Sequence, residues 1–176
     1  MSTVDLEMVP AGTPEKPENL GTPENIEELA SIVQTEAGSL TYPAKLAVAY
    51  VVVNRMRRRG SVAVKDVERG FASFARPSDE SRRAARGALA GDVPDPTHGA
   101  THFYTPAAMP KEGQFTRGRD VGGGLESVQG VTEYNTEIPV RNYRPSWSVK
   151  YPEIKVPSVP QSQFKFFRAP AGESIP

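Results

Sequence analysis

Cysteine is absent from the sequence, so disulfide bonds and thiolate metal sites are excluded. Net charge is absent too, since 21 basic residues balance 21 acidic ones. This balance gives no indication of a polyanionic partner, and the basic run "RMRRRG" is an ordinary complement to the dipole at the end of a helix. We therefore predict no nucleic-acid partner.

Long apolar runs are also missing. The longest, "LAVAYVVV", is far shorter than the roughly 20 residues that span a bilayer. The N-terminus has neither the basic start nor the apolar stretch of a signal peptide. We expect no membrane span and no signal peptide, so action outside a cytoplasm would require another carrier.

Proline residues are distributed unevenly along the 176 residues. Residues 1–22 combine proline with small and acidic residues, which predicts an extended arm. The C-terminal third has too many prolines for long helices, which favours short strands and loops, among them a strand-like "QFKFF". We predict one folded domain over residues 23–168 and a tail over residues 169–176.

Three segments between these ends carry the start and stop signals of helices. The second is apolar on all sides, which predicts a central, enclosed helix. The "ATHFY" stretch that follows the third alternates as a strand does, so the pattern predicts an α+β fold. The predicted helices run from Thr22–Pro23 or Asn25 to Gly38, from about Thr41–Pro43 to near Gly60, and from about Ser78 to Leu89.

Glu36 stands out at the end of the first helix. At about 100° per residue it lies roughly 20° from Leu29 and beside Ile32, whereas Glu27 and Glu28 fall on the far side. A carboxylate bordering a buried stripe is costly unless it is paired, solvated at a cleft or protonated. Periodicity alone leaves open that Glu36 simply points into solvent.

Two blocks of the sequence resemble the SleB/CwlJ-type cell wall hydrolase family, named for spore cortex-lytic enzymes. The first is "ELASIVQTEAGSLTYPAKLAVAYVVVNRM", and the second is "AARGALAGDVPDPTHGATHFYTP". They occur in order and cover roughly residues 26–106. His98 stands where a glycine is common in the family, while the glycine after the "EA" pair is retained as Gly38.

The resemblance implies a lysozyme-like α+β fold, with a helix-rich core and a small antiparallel sheet bordering the active-site groove. It implies an enzyme that cleaves the β-1,4 bond between N-acetylmuramic acid and N-acetylglucosamine in peptidoglycan glycan strands. The family glutamate corresponds to Glu36. An acid beside Leu29 and Ile32 is partly desolvated, which suits it to protonate a leaving glycosidic oxygen.

A second carboxylate would separate hydrolysis from lytic transglycosylation, in which the muramyl 6-hydroxyl attacks C1. None of the candidates has a signal beyond loop composition, so we favour the transglycosylase reaction with one catalytic glutamate. These candidates are Asp92, Asp95, Asp120, Glu133 and Glu137.

The "THGATHFYTP" block supplies the candidate substrate-binding residues. His102 and Tyr104 share one strand face and would bind or stack on sugars if that face lines the groove; the alternative is packing. Thr101 is a weaker candidate. His98 and His102 have the spacing of a helical zinc pair, but the alternation and the missing "HExxH" glutamate argue against zinc. We predict no metal and no cofactor.

The competing class is a catalytically silent structural or interaction subunit of a virion or secretion apparatus, built on the same fold. Proline-rich arms fit a small subunit docked on a larger assembly, such as a phage tail or phage-like particle. The two hypotheses are compatible, because tail tips often carry wall-degrading domains. They differ at Glu36, which a scaffold does not need.

Overall fold

The computed structural model describes residues 20–132 and 139–176. Most of the arm predicted over residues 1–22, together with Glu133 and Glu137, lies outside the described residues. At the start of the described chain, Leu20 is only 8% exposed and belongs to the hydrophobic core.

All three predicted helices are present, and each begins and ends at the expected signals. The side chain of Thr22 caps α1 by accepting a hydrogen bond from the Asn25 amide. Gly60 and Gly91 end α2 and α3 in the left-handed conformation, which glycine adopts at little cost. The helices are α1 (Pro23–Ala37), α2 (Tyr42–Arg59) and α3 (Asp79–Ala90).

Helix α2 forms the centre of the core. Residues 44–56 of this helix are all buried, and Val48 and Val52 have no exposed surface. Both α1 and α3 pack against it and against each other. The enclosed helix predicted from the all-round apolar pattern is therefore confirmed. No helix in the described part of the chain combines the length and apolarity needed to cross a membrane.

The strands form two small antiparallel sheets. In the first, β5 (Lys165–Phe167) lies between β1 (His102–Tyr104) and β4 (Glu153–Ile154). In the second, β2 (Leu125–Thr132) pairs with β3 (Pro139–Tyr143). The predicted strands in "ATHFY" and "QFKFF" are thus neighbours, and the α+β class with small antiparallel sheets is confirmed.

The first sheet separates two groups of aromatic side chains. Phe103 faces the helical core, where it contacts Phe164 and Phe166. His102 and Tyr104 point to the opposite face, as the pleat of a strand requires, and contact Trp147. This second face also includes Phe167, Tyr151 and Met109.

The chain beyond residue 168 continues to contact the domain. Ala169 is fully buried, and its amide donates to the hydroxyl of Thr101. Arg58, at the end of α2, donates to the carbonyls of Ala169 and Pro170. The first residues of the predicted tail are therefore integrated into the fold.

Candidate active site

Glu36 lies in the last turn of α1, next to the apolar stripe that the sequence predicts. Ile32 and Leu29, one and two turns earlier, have no exposed surface, whereas Glu36 is partly buried. Its Oε1 accepts a hydrogen bond of 3.0 Å from the Ala72 amide. Within residues 20–132 and 139–176, no cation pairs with Glu36 and its Oε2 has no hydrogen-bond donor. One oxygen is thus held in place and the other is available to a substrate.

The loop at residues 70–78 is fastened to α1 along the same side as Glu36. The Ser31 hydroxyl lies 3.1 Å from the Ser73 carbonyl and 2.8 Å from the Ala75 carbonyl. The Ala75 amide donates to the Thr35 hydroxyl, which itself donates to the Ser31 carbonyl. These contacts explain why α1 has small hydroxyl residues four positions apart on one side, since both bind the backbone of the 70–78 loop.

An aromatic and cationic cluster connects this loop to the sheet. Phe71 directly precedes Ala72 in the chain. Its ring stacks on Phe103 with ring centroids 6.0 Å apart. The guanidinium of Arg55 lies 4.4 Å from the centre of the Phe71 ring. Arg55 also donates from Nε to the Thr101 carbonyl, and burial lowers its pKa to about 10. Phe103, rather than a neighbour in β1, is therefore the strand residue on the Glu36 side.

His102 and Tyr104 share one strand face as predicted, but that face is turned away from the Phe71 contact. Each is only 6% exposed. The Tyr104 hydroxyl donates to Glu126 at 2.6 Å, and burial followed by this hydrogen bond raises the pKa of Tyr104. Alternation in the sequence identifies two faces but not which one meets the helices. Sugar binding by His102 and Tyr104 stays a prediction, and Trp147 packs against both rings.

Thr101 has no exposed surface, and its hydroxyl is committed to the fold. It accepts from the Ala169 amide and lies 2.9 Å from Nδ1 of His102. Burial first, and then the charges of Arg55 and Arg58, lower the pKa of His102 to about 4. The complete burial of Thr101 argues against the predicted contact with a sugar and for a structural role.

The described candidates for a second catalytic carboxylate have other partners or lie in solvent. Asp95 organises the "DPTHGA" turn by accepting from Asn54, Thr97 and Gly99. Asp120 accepts from Gly122 and Ser146, and Asp92 is exposed. The hydrogen bonds to Asp95 and Asp120 give both residues a clear structural task.

The Asp95 turn also explains two sequence features. His98 has φ 50°, in the left-handed region that glycine adopts without strain, so the glycine common at this position of the family has a conformational reason. Asn54 donates to both the Asp95 carboxylate and the Ala100 carbonyl, which joins α2 to the turn before β1. These two hydrogen bonds give Asn54 a structural role.

Glu28 is a residue whose environment the sequence did not indicate. Its Oε2 is buried without a hydrogen-bond partner, and burial, followed by the charges of Glu24 and Glu68, raises its pKa. A simple helical projection puts Glu28 on the solvent side of α1, but the segment that follows α2 covers that side. A hollow of about 360 Å³ opens there, lined by Glu27, Glu28, Ser31, Glu68, Ser73 and Pro77.

In the part of the chain that the structure describes, no three or more acidic or histidine side chains form a group that could hold a metal ion. The two histidines lie in different environments, since His98 is exposed and His102 is buried.

The fold is α+β, and it places a partly buried carboxyl group at a helix end, as enzymes that use a general acid do. The family model described as cell wall hydrolase matches residues 40–122. This match agrees with the resemblance found in the sequence and with the prediction of a peptidoglycan-degrading enzyme. Glu36 lies just before the matched segment.

Two solved structures are similar to the chain. One is the catalytic domain of the germination-specific lytic transglycosylase SleB from Bacillus anthracis, with 18% identity, a TM-score of 0.47, and coverage of 84% of this chain and 96% of that one. The other is the catalytic domain of the Bacillus cereus SleB protein, with 18% identity, a TM-score of 0.48, and coverage of 90% and 99%. No curated protein matches the chain significantly.

Proposed function

We propose that the chain cleaves the β-1,4 bond between N-acetylmuramic acid and N-acetylglucosamine, with Glu36 as the general acid. The observation that carries this proposal is the environment of the Glu36 carboxyl group. Its Oε1 is held by the Ala72 amide at 3.0 Å, and α1 buries its aliphatic neighbours Leu29 and Ile32. A fixed, partly desolvated acid is suited to protonate a glycosidic oxygen as the bond breaks.

We further propose that the reaction is lytic transglycosylation. Glu36 protonates the leaving oxygen, the C1–O bond breaks, and the muramyl 6-hydroxyl attacks C1 while its proton passes to the Glu36 carboxylate. Capture by water with inversion would require a second carboxylate about 6.5–9.5 Å from the first. Asp95 and Asp120 are hydrogen-bonded within their own turns and loops, so neither is assigned to activate water. This favours attack by the internal hydroxyl, which the substrate itself holds at high effective concentration.

Digestion of purified peptidoglycan tests the proposal. General-acid catalysis contributes about 100-fold or more, so Glu36→Gln should lower turnover at least that much. Glu24→Gln, at an exposed acid of the same helix, is the matched control and should retain activity. Mass spectrometry should find anhydromuropeptides. Products with a reducing muramic acid, one water heavier, would refute the transglycosylase step, and full activity of Glu36→Gln would refute the catalytic role.

Delivery to the wall by a phage or phage-like particle also stays a proposal. It is tested by searching purified particles for this chain with mass spectrometry, and its absence from particles that infect the host would refute it.

A further inference from the structure

Phe74 occupies an unusual position in the 70–78 loop. Its side chain is 88% exposed, although a single exposed aromatic residue needs no special explanation by itself. What distinguishes Phe74 is its backbone, because both neighbours in the chain are hydrogen-bonded to α1. The Ser73 carbonyl accepts from Ser31, and the Ala75 amide donates to Thr35. The ring is therefore presented to solvent from a backbone that is fixed on both sides.

The same loop fixes Phe74 close to the proposed acid. The Ala72 amide nitrogen is 3.0 Å from the Glu36 carboxylate. Two residues of extended chain span at most about 7 Å, so the Cα of Phe74 lies within about 12 Å of that carboxylate. A glycan strand that binds across Glu36 extends over several sugar rings in both directions and can reach this distance.

The surface next to Phe74 has the polar groups that a sugar requires. Ser73, the residue before Phe74, lines the hollow of about 360 Å³ beside α1 together with Glu28 and Glu68. Carboxylates and serine hydroxyls bind sugar hydroxyl groups, and the face of an aromatic ring attracts the slightly positive C–H groups on the flat side of a pyranose. An exposed ring next to a polar hollow combines both kinds of contact.

We propose that Phe74 forms a sugar subsite, in which its ring stacks on a pyranose of the peptidoglycan glycan strand while the adjacent hollow receives that sugar's hydroxyl groups. This inference rests on the proposed function, because the glycan strand is the substrate of Glu36. Phe74 contacts the bound strand before and during bond cleavage alike, so it contributes to substrate binding rather than to the chemical step.

The test measures binding and turnover separately. Binding is measured in the Glu36→Gln background with glycan strands stripped of their peptides, and turnover is measured on the same strands with Glu36 intact. Phe74→Ala should weaken binding and raise KM about tenfold with little change in kcat. Phe74→Trp should bind as the parent does, and Phe74→Leu, which keeps apolar area without an aromatic face, should resemble Phe74→Ala.

Phe115 offers a matched control, because it is also a phenylalanine and 85% exposed. It lies outside the 70–78 loop, and Phe115→Ala should leave binding, KM and kcat unchanged. Equal behaviour of Phe74→Ala and Phe115→Ala would overturn the inference, as would full binding by Phe74→Leu. A loss that occurs only with peptide-bearing strands would overturn it as well, because the contact would then be to peptide.

The two proposals fail in different ways. If Glu36→Gln remains active, the proposed function is refuted whatever the Phe74 variants do. If Glu36→Gln is inactive and the Phe74 variants bind the stripped strands normally, the proposed function stands and the sugar subsite is refuted.

Discussion

Acidification should destabilise this protein through His102, and the effect can be worked out from its surroundings. His102 is 6% exposed, and burial followed by the nearby guanidinium groups of Arg55 and Arg58 lowers its pKa from 6.5 to about 4. The unfolded chain therefore binds a proton at a higher pH than the folded chain does. The free energy of unfolding is unaffected above 6.5, falls as the pH drops from 6.5 towards 4, and levels off below 4.

The gap between the two pKa values lowers the free energy of unfolding by about 3 kcal/mol at the low-pH limit, and by about 2 kcal/mol at pH 5. For a chain of this size, 2 kcal/mol lowers Tm by roughly 4–8 °C. His102→Gln removes the titrating group while keeping a side chain able to reach the Thr101 hydroxyl. Carboxyl groups that also titrate contribute equally to wild type and variant, so their effect cancels in the difference.

Urea denaturation of wild type and His102→Gln at pH 7.5, 6 and 5 measures the effect. Altered packing changes the stability of the variant equally at every pH, so its loss on going from pH 7.5 to 5 should be about 2 kcal/mol smaller than that of wild type. His98→Gln, at the exposed second histidine, serves as the control and should follow wild type. If the free energy of unfolding falls equally with pH in wild type and His102→Gln, the reasoning is refuted.

Two further substitutions test contacts that position the site. Asn54→Ala leaves the buried Ala100 carbonyl without a side-chain donor and removes one of the donors to the Asp95 carboxylate. It should lower the free energy of unfolding by about 1–3 kcal/mol in urea titrations, and a change below about 0.5 kcal/mol would contradict this. Ser31→Ala removes the donor to the Ser73 and Ala75 carbonyls. It should lower the free energy of unfolding by about 0.5–1.5 kcal/mol and raise KM on peptidoglycan. Ser39→Ala, at an exposed serine beyond α1, is its control, and an unchanged KM for Ser31→Ala would show that the loop does not need this anchor.

Much of the backbone could be predicted because its signals are local. Thr22 and Ser78 are N-cap residues, and Gly60 and Gly91 adopt the left-handed conformation that ends a helix, so each boundary follows from a few neighbouring residues. The burial of α2 can also be predicted from the sequence, since a helix that is apolar on every side has no polar face to expose to solvent.

The candidate site could be predicted in part. The position of Glu36 beside Leu29 and Ile32 depends on helical periodicity alone, and the structure agrees with it. Which face of β1 meets the helical core could not be predicted, because alternation has two equivalent phases. In the structure Phe103 lies opposite Phe166 on the face against the helical core, and His102 lies opposite Phe167 on the other face.

Residues close together in the chain thus specify the three α-helices, the strands in "ATHFY" and "QFKFF", and the placement of one acid at the border of a buried stripe. The surroundings of that acid depend instead on contacts between distant parts of the chain. The Ala72 amide binds Glu36, and the neighbouring Phe71 ring is held by Phe103 of β1 and Arg55 of α2. Long-range packing brings them together, since each buries apolar surface or satisfies a polar group that its own segment leaves open.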